Sequence, residues 1–451
     1  MQRYRKLLYS FGSIAAALPQ QAFSTYVIFF YVDILKVPAT LISLGMMIYG
    51  IWNAVNDPLA GQISDRTNTR WGRRIPYILF AAIPLGLAFV MVWTPPFSVA
   101  AGQTNLLFAY FMLAIFLYDT LYTIVILNWT SLFPEMFPSL GERAEVSAWR
   151  QFFSIVGLMI GVGLPPVLYG ALGWPAMAAI FGAITIVSLG LALLGSREDP
   201  RYRQEAGPAF FEALRHTFAN RSFVFYVLTN LFVQFAFVML TGAMPFYTKY
   251  VLRISQAQTT LMFTSVFIGA LLMLYAWSRL TVRLGARTAM MAAVAAFGLA
   301  FIPFWFIGDF TGGLISAFLL GIGLGGLLIL LEVLIADVID EDETRTGHRR
   351  EGMYFGVNGF IIRLGVSLQA VITGLVLNTS GYNAYKAVQS ATAVTGIRLL
   401  IAGVPLVALA LALVCIWLYP LHGPKLAAVK AAIASRRLTT TAHHAPEEIG
   451  A

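Results

Sequence analysis

Apolar residues along this chain gather into long blocks separated by short polar stretches. The blocks cover 10–32, 38–60, 74–94, 103–130, 147–170, 174–194, 222–247, 257–277, 288–307, 312–336, 353–378 and 393–421. About twenty apolar residues in a helix cross a hydrocarbon layer of roughly 30 Å, and several blocks are longer, which predicts tilt or projection beyond the layer. The pattern predicts an all-α polytopic membrane protein with twelve transmembrane helices. An even number of spans puts both termini on one side.

The basic residues select that side. With this partition Lys36, Lys249, Arg253, Lys386 and Arg398 fall on one side and Arg363 within a span. The rest cluster on the other face around 66–74, 197–221, 279–287 and 345–350 and at both ends. Lys and Arg concentrate on the cytoplasmic side of membrane proteins, so both termini are expected in the cytoplasm, with a bacterial inner membrane as the location. The long polar stretch near 195–221 divides the spans into two sets of six: a half over 1–195, a linker over 196–221, a second half over 222–421 and a tail over 422–451. Residues 209–216 of the linker have the composition of a short amphipathic surface helix. A faint echo supports the division: Ser64-Asp65-Arg66 through Trp71-Gly72-Arg73-Arg74 follows span two, and Ser278-Arg279 through Leu284-Gly285-Ala286-Arg287 follows span eight.

Composition sharpens the class. The chain has 451 residues, 59% hydrophobic and 11% charged, well below the ~25% charged residues of a soluble protein. The net charge of +9 lies in short loops, without a basic stripe interleaved with aromatics, so no nucleic-acid partner is expected. A single cysteine, Cys415, excludes an intramolecular disulfide and a cysteine-rich metal site. The basic start resembles a signal peptide but leads into a long apolar stretch, expected to stay as the first helix. The adjacent His443 and His444 lack spaced partners and are expected in a solvated tail.

Few polar groups interrupt the spans, and those few carry the candidate chemistry. Asn53 and Asp57 lie four apart and share one helix face. An intramembrane carboxylate is costly and normally faces a cavity or a partner, so Asp57 is expected either as a coupling-ion or proton site or as a packing carboxylate near the helix end. Glu332 interrupts span ten and fits a second proton site, a cation ligand, or a partner for Arg363. No nucleophile–base spacing or cofactor loop stands out, so no enzyme activity and no cofactor are expected.

The run Asn56-Asp57-Pro58-Leu59-Ala60-Gly61, with Asp65-Arg66 and Arg70-Trp71-Gly72-Arg73-Arg74-Ile75-Pro76, resembles the glycoside–pentoside–hexuronide:cation symporters, a branch of the major facilitator superfamily that includes the melibiose permeases. Phe133-Pro134-Glu135, Glu142-Arg143, Arg150, Ala336-Asp337-Val338-Ile339-Asp340, Arg345-Thr346-Gly347, Arg349-Arg350-Glu351-Gly352 and Gly381-Tyr382-Asn383 continue the match along nearly the whole chain. The resemblance implies a major facilitator fold of two six-helix halves and symport by alternating access. It implies a cation or proton site at Asp57, with Asn53 standing where those permeases have a second aspartate. A sodium ion would then need other oxygens, from Asn56, Thr123 or Thr130, and proton coupling stays equally open.

The sugar-binding aspartates of the melibiose permeases are replaced by Ala17 and Ile126, so a galactoside is not expected. Gln20, Gln21, Tyr26, Asp119, Tyr122, Asn128, Trp129 and Thr130 are the alternative pocket, with Trp129 and Tyr122 equally suited to packing. Arg150 matches an arginine near the inner end of helix five, and Arg363 matches the helix-eleven lysine. Arg363 fits a latch to Asp57 or Asp119, or a contact to an acidic solute. Asp65, Arg66, Arg73, Arg74, Glu142, Arg143, Asp337, Asp340, Arg349 and Arg350 are expected as a cytoplasmic gate of exchanging salt bridges. The expected function is cation- or proton-coupled symport of a sugar, glycoside or uronate-like solute by a monomer in contact with membrane lipids. Transport of a lipid-like or amphipathic solute is the second reading, and a membrane-bound enzyme the third.

Overall fold

The computed structural model describes residues 3–67, 69–137, 139–198, 215–347 and 350–443. The side chains of Asp65 and Arg66, residue Arg349, His444, and the part of the expected linker helix before 215 lie outside the described residues. The fold is all-α, and ten helical segments among the described residues are long and apolar enough to cross a membrane.

A first set of helices comprises α1 (Arg3–Ser10), α2 (Gly12–Phe29), α3 (Ala39–Arg66), α4 (Ile75–Trp93), α5 (Thr104–Met136), α6 (Leu140–Gly163), α7 (Pro165–Leu172) and α8 (Trp174–Gly195). A second set comprises α9 (Arg221–Tyr247), α10 (Gln256–Leu284), α11 (Ala286–Leu299), α12 (Phe310–Thr346), α13 (Glu351–Thr379), α14 (Ala391–Arg398), α15 (Val404–Trp417) and α16 (Gly423–His443). The fifth expected span is broken where Pro165-Pro166 start a new helix after Leu164, because proline supplies no amide for the preceding helix to bond. The twelfth is divided by a π turn at Leu399–Gly403. Local chemistry sets many other ends. Ser255 and Gln258 form a reciprocal capping box at the start of α10. Gly347, at φ +76°, closes α12 in the left-handed region.

The two sets repeat a feature that the hydrophobic pattern does not reveal. Helix α2 runs into a π turn at Phe30–Ile34, and α9 runs into one at Thr248–Leu252. Each is followed by a basic residue at positive φ, Lys36 (63°) and Arg253 (54°). Each is closed by a bond spanning six residues, Val37 N–H to Tyr31 O at 2.9 Å and Ile254 N–H to Thr248 O at 3.1 Å. A non-glycine residue in this region is disfavoured, so its use at matched places marks an internal repeat. The two turns meet where Phe29 packs edge-on against Phe246, ring centroids 5.1 Å apart.

Helices α2 with α9, α3 with α13, and α6 and α7 with α10 join the sets. Along α3 and α13 the seam is tight at one end. The Ser43 hydroxyl donates to Ala370 O at 3.0 Å, Gly374 lies against Ser43 and Ala39 O, and Gly50 lies against Ser367. Toward the other end the helices part. A Cβ built on Gly352, Gly356 or Gly359 meets no atom within 4 Å, and Ile63 and Phe355 are exposed. Even a single methyl at Gly374 would overlap the Ser43 hydroxyl. Gly374→Leu is therefore expected to separate α3 from α13 at the tight end, shifting the population of that contact at least about tenfold, as ~1.4 kcal/mol against it would do; a spin-label distance between the two helices checks it.

Candidate functional site

The polar groups of α3 and α5 meet along one seam. Asp119, only 1% exposed, accepts at Oδ1 from the Tyr49 hydroxyl at 3.0 Å and from Asn53 Nδ2 at 2.7 Å. Its Oδ2 accepts from Asn56 Nδ2 at 3.0 Å. One turn further along, the Thr123 hydroxyl donates to Asp57 Oδ1 at 3.0 Å, and Arg363 Nη1 of α13 forms an ion pair with Asp57 Oδ2. The i, i+4 spacings 53/57 and 119/123 put these groups on facing stripes of the two helices. Asp57 and Arg363 keep 28% and 43% of their side chains exposed, so this pair opens onto the parted end, whereas Asp119 is sealed.

Arg363 thus takes Asp57 as its partner, not Glu332. Glu332 is exposed on α12, on the same face as Leu328 and Ala336, with Tyr226 of α9 in its electrostatic neighbourhood. Beside it Asn230 Nδ2 donates to Asn358 Oδ1 at 2.9 Å.

The expected solute pocket is only partly assembled. Gln20 and Gln21 are half-buried on α2, and the Tyr122 hydroxyl donates to Ala16 O at 2.8 Å. Of the two readings open for Trp129, stacking on a solute or packing, its surroundings match packing. It is 1% exposed, stacks on Tyr9 at 5.2 Å and donates its indole N–H to Tyr9 O at 3.1 Å. Arg150 lies over the rings of Trp129 and Phe133, at 4.7 and 4.9 Å, so its charge is held in a cation–π stack. Tyr26 is fully buried, with its hydroxyl on Val162 O at 2.5 Å. Asn128 and Thr130 turn back onto their own helix, bonding Ile124 O and Ile126 O at 2.8 Å each. Local carbonyls satisfy the Thr130 hydroxyl and the Asn128 NH2, while Asn128 Oδ1 stays buried without a hydrogen-bond partner among the described residues.

At the parted end the ionic groups pair inside each set. Arg73 and Arg74 reach Glu135 at 2.8 and 3.3 Å, and Glu198 accepts from the backbone amides of Arg73 and Arg74 at 2.8 and 3.0 Å. Lys6 bridges Glu142 and Glu145 at 3.3 and 2.9 Å, while Arg143 donates to Phe137 O at 2.7 Å. In the second set Arg350 pairs with Asp342 at 2.9 Å. Helix α16 docks along α12 through Lys425 to Glu341 at 2.6 Å and Lys430 to Asp337 at 3.3 Å. The tail thus starts as a docked helix. Asp340 is half-buried beside this group.

The tight end is held across the sets by residues absent from the expected site. Asp33, fully buried, pairs with Lys249 and accepts hydrogen bonds from the Tyr250 and Tyr382 hydroxyls. Burial and the neighbouring Asp33 push the Tyr382 phenol well above its usual range, which keeps it a donor. Lys36 Nζ donates to Ala384 O nearby. The signal was present, since Asp33 is the sole acid before Asp57 and ends an apolar block on the face that also carries Lys249.

Oxygen atoms on Asp57, Asp119, Asn53, Asn56 and Thr123 are those able to hold a monovalent cation; among the described residues no group of three or more His, Cys, Asp or Glu side chains is arranged to hold a metal ion.

The family model described as MFS/sugar transport protein matches residues 8–423. The isoprimeverose transporter of Lactiplantibacillus pentosus is 26% identical over 427 residues, covering 91% of this chain and 87% of that protein. The sodium-dependent lysophosphatidylcholine symporter 1-A of Danio rerio is 21% identical over 467 residues, covering 93% and 86%. Among solved structures, the nucleoside transporter NupG superposes with a TM-score of 0.65 at 14% identity, covering 91% of this chain and 99% of that one, a likeness of fold.

Proposed function

The chain belongs to the MFS/sugar transport protein family, and from that premise we propose that it is a cation-coupled symporter of a sugar, glycoside or uronate-like solute. It is a secondary transporter. In this reading twelve spans form two six-helix halves joined by the 196–221 linker, with both termini and the parted end in the cytoplasm.

The observation that carries the reading is the Asp57–Arg363 pair. It links the two helix sets beneath the tight end, where a cation or solute arriving at the site bears directly on a contact between them. Removing or recruiting the partner of such a charge shifts the balance between two arrangements. The tight end, latched by Asp33, Lys249, Tyr250 and Tyr382, is the closed outer gate. The cytoplasmic gate is open, with Arg73, Arg74, Glu142, Arg350 and Asp337 engaged within their own halves. Closing it requires these groups to exchange partners. Glu135, Asp342 and Asp337 are nearly fully buried in these pairs, so each is worth more than the ~0–1 kcal/mol of an exposed pair, and the closed arrangement must supply new partners for them.

Gln20, Gln21 and Tyr122 present the polar wall of the solute cavity, and Glu332 faces it from α12 as a second charge. An acidic solute would compete with Asp57 for the planar fork of Arg363. The lysophosphatidylcholine symporter among the relatives favours a second reading, an amphipathic solute on the same scaffold.

The test is uptake by sealed proteoliposomes of a panel of glycosides, pentosides, glucuronides and lysophospholipids, under a proton gradient or a sodium gradient alone. Accumulation of one solute class under one gradient is expected. Equilibration of solutes with neither gradient driving accumulation would exclude symport.

A further inference from the structure

Resting on the cation-coupled reading above, we propose that the coupling cation is a single monovalent one and that its charge is taken up at Asp119, with Asp57 acting through Arg363. The argument is a count of fixed charges. A guanidinium stays protonated in proteins, and Arg363 is paired with Asp57. That pair sums to zero. Asp119 is 1% exposed and is met by three neutral donors, Tyr49, Asn53 and Asn56; no cationic side chain among the described residues pairs with it. Neutral donors satisfy its lone pairs but supply no countercharge, and an uncompensated charge inside a membrane span is expensive. Asp57, Arg363 and Asp119 together carry one negative charge, which one monovalent cation cancels.

The cage suits a group that changes charge. Each amide has an oxygen as well as an NH2, and a phenol both donates and accepts. With the amides donating, as here, the cage holds a carboxylate. With them turned over, it offers oxygens to a carboxyl proton or to a sodium ion. Asp119 sits one helical turn, ~5.4 Å of rise, from Thr123, whose hydroxyl holds Asp57. The titratable groups around it are Tyr49 from α3 and Tyr118 and Tyr122 from α5, with Arg363 of α13 beside Tyr49, Asp57 one turn away on Thr123, and α4 contributing Phe89 beside Tyr118. Tyr49, which bonds Asp119, also lies in the field of Arg363, so an anionic Asp119 draws on Arg363 across that phenol in opposition to Asp57. Once it is neutralised, Arg363 has a single anionic partner. The link between α3 and α13 therefore follows cation occupancy, which is what coupling requires.

The charge count dictates the experiment. The purified full-length protein is assayed for 22Na+ binding at fixed pH and, separately in sodium-free buffer, for protons taken up on a downward pH step, read as the difference between the parent and each variant so that the other carboxylates and histidines cancel. About one cation per chain is expected in one of the two arms, which identifies the ion. Asp119→Asn brings the sum to zero and is expected to weaken that binding at least tenfold, with Asp119→Glu restoring it. Asp57→Asn also brings the sum to zero by freeing Arg363 for Asp119, and is expected to weaken binding likewise. The double variant Asp57→Asn with Arg363→Gln returns the sum to minus one on Asp119, and binding is expected to return to within a few-fold of the parent. A cation seated on Asp57 predicts that the double variant stays inert, which overturns the proposal; so does undiminished binding in Asp119→Asn. Should Asp119→Asn fail to fold, the double variant decides alone. If the parent protein takes up neither ion, the coupled reading falls together with this one, whereas parent binding that survives Asp119→Asn overturns this one alone.

Discussion

Asp57→Asn is expected to lower gradient-driven accumulation by about ten- to a hundredfold while solute exchange across the membrane continues. The change keeps the shape of the side chain and the contact to Thr123 but removes the countercharge of Arg363. The pair lies between an exposed one, worth ~0–1 kcal/mol, and a fully buried one, whose disruption costs ~3–5 kcal/mol. An intermediate loss of about 1–3 kcal/mol corresponds to the stated range. Exchange needs solute binding and reorientation but not net cation movement, so counterflow and gradient-driven accumulation separate the two effects. Accumulation equal to that of the parent protein would remove Asp57 from the coupling machinery altogether.

The second large effect is expected at the opposite end of the seam. Asp33→Asn leaves Lys249 without its anion inside a cluster where the carboxylate was fully buried. Lys249 itself keeps 37% of its side chain exposed, so stranding it costs less than the ~3–5 kcal/mol of a fully buried charge; about 1–2 kcal/mol shifts the ratio of closed to open arrangements at the tight end by roughly ten- to thirtyfold. Spin labels at Ser98 and Val388, with Cys415 replaced by Ser, would report the change as a longer distance across the outer face. Lys249→Ala should do at least as much, because it leaves the fully buried Asp33 carboxylate with the neutral Tyr250 and Tyr382 hydroxyls and no countercharge. Equal distance distributions in parent and Asp33→Asn would show that the cluster does not hold the gate.

Both effects concern groups that the sequence presents very unequally. Asp57 is conspicuous because it interrupts an apolar block and sits four residues from Asn53. Asp33 stands out only as the sole acid before Asp57, and its place at a block end hides that it is buried. Its partners Lys249, Tyr250 and Tyr382 are more than two hundred residues away in sequence. Asp119 was legible as a polar residue in a span but not as the centre of the cage. The register that sets 53 against 119 and 57 against 123 is a property of how α3 packs on α5. Trp129 shows the reverse case. Its ring looked available along the chain, and Gly12 and Tyr9 close on it only once α1 and α2 are in place.

The sequence alone determined the class of molecule: helices that can cross a membrane, their approximate limits, the side favoured by the basic loops, and the intramembrane polar residues. Those properties depend on hydropathy, length and local charge, which act within twenty residues or so of chain. Partner choice was left to the tertiary structure. It decided that Arg363 meets Asp57 and not Glu332, that the ions at the parted end pair within each helix set, and that Asp33 joins the two sets at the tight end. Ion pairs and hydrogen bonds act over a few ångströms, and only the packing of distant helices brings side chains within that reach.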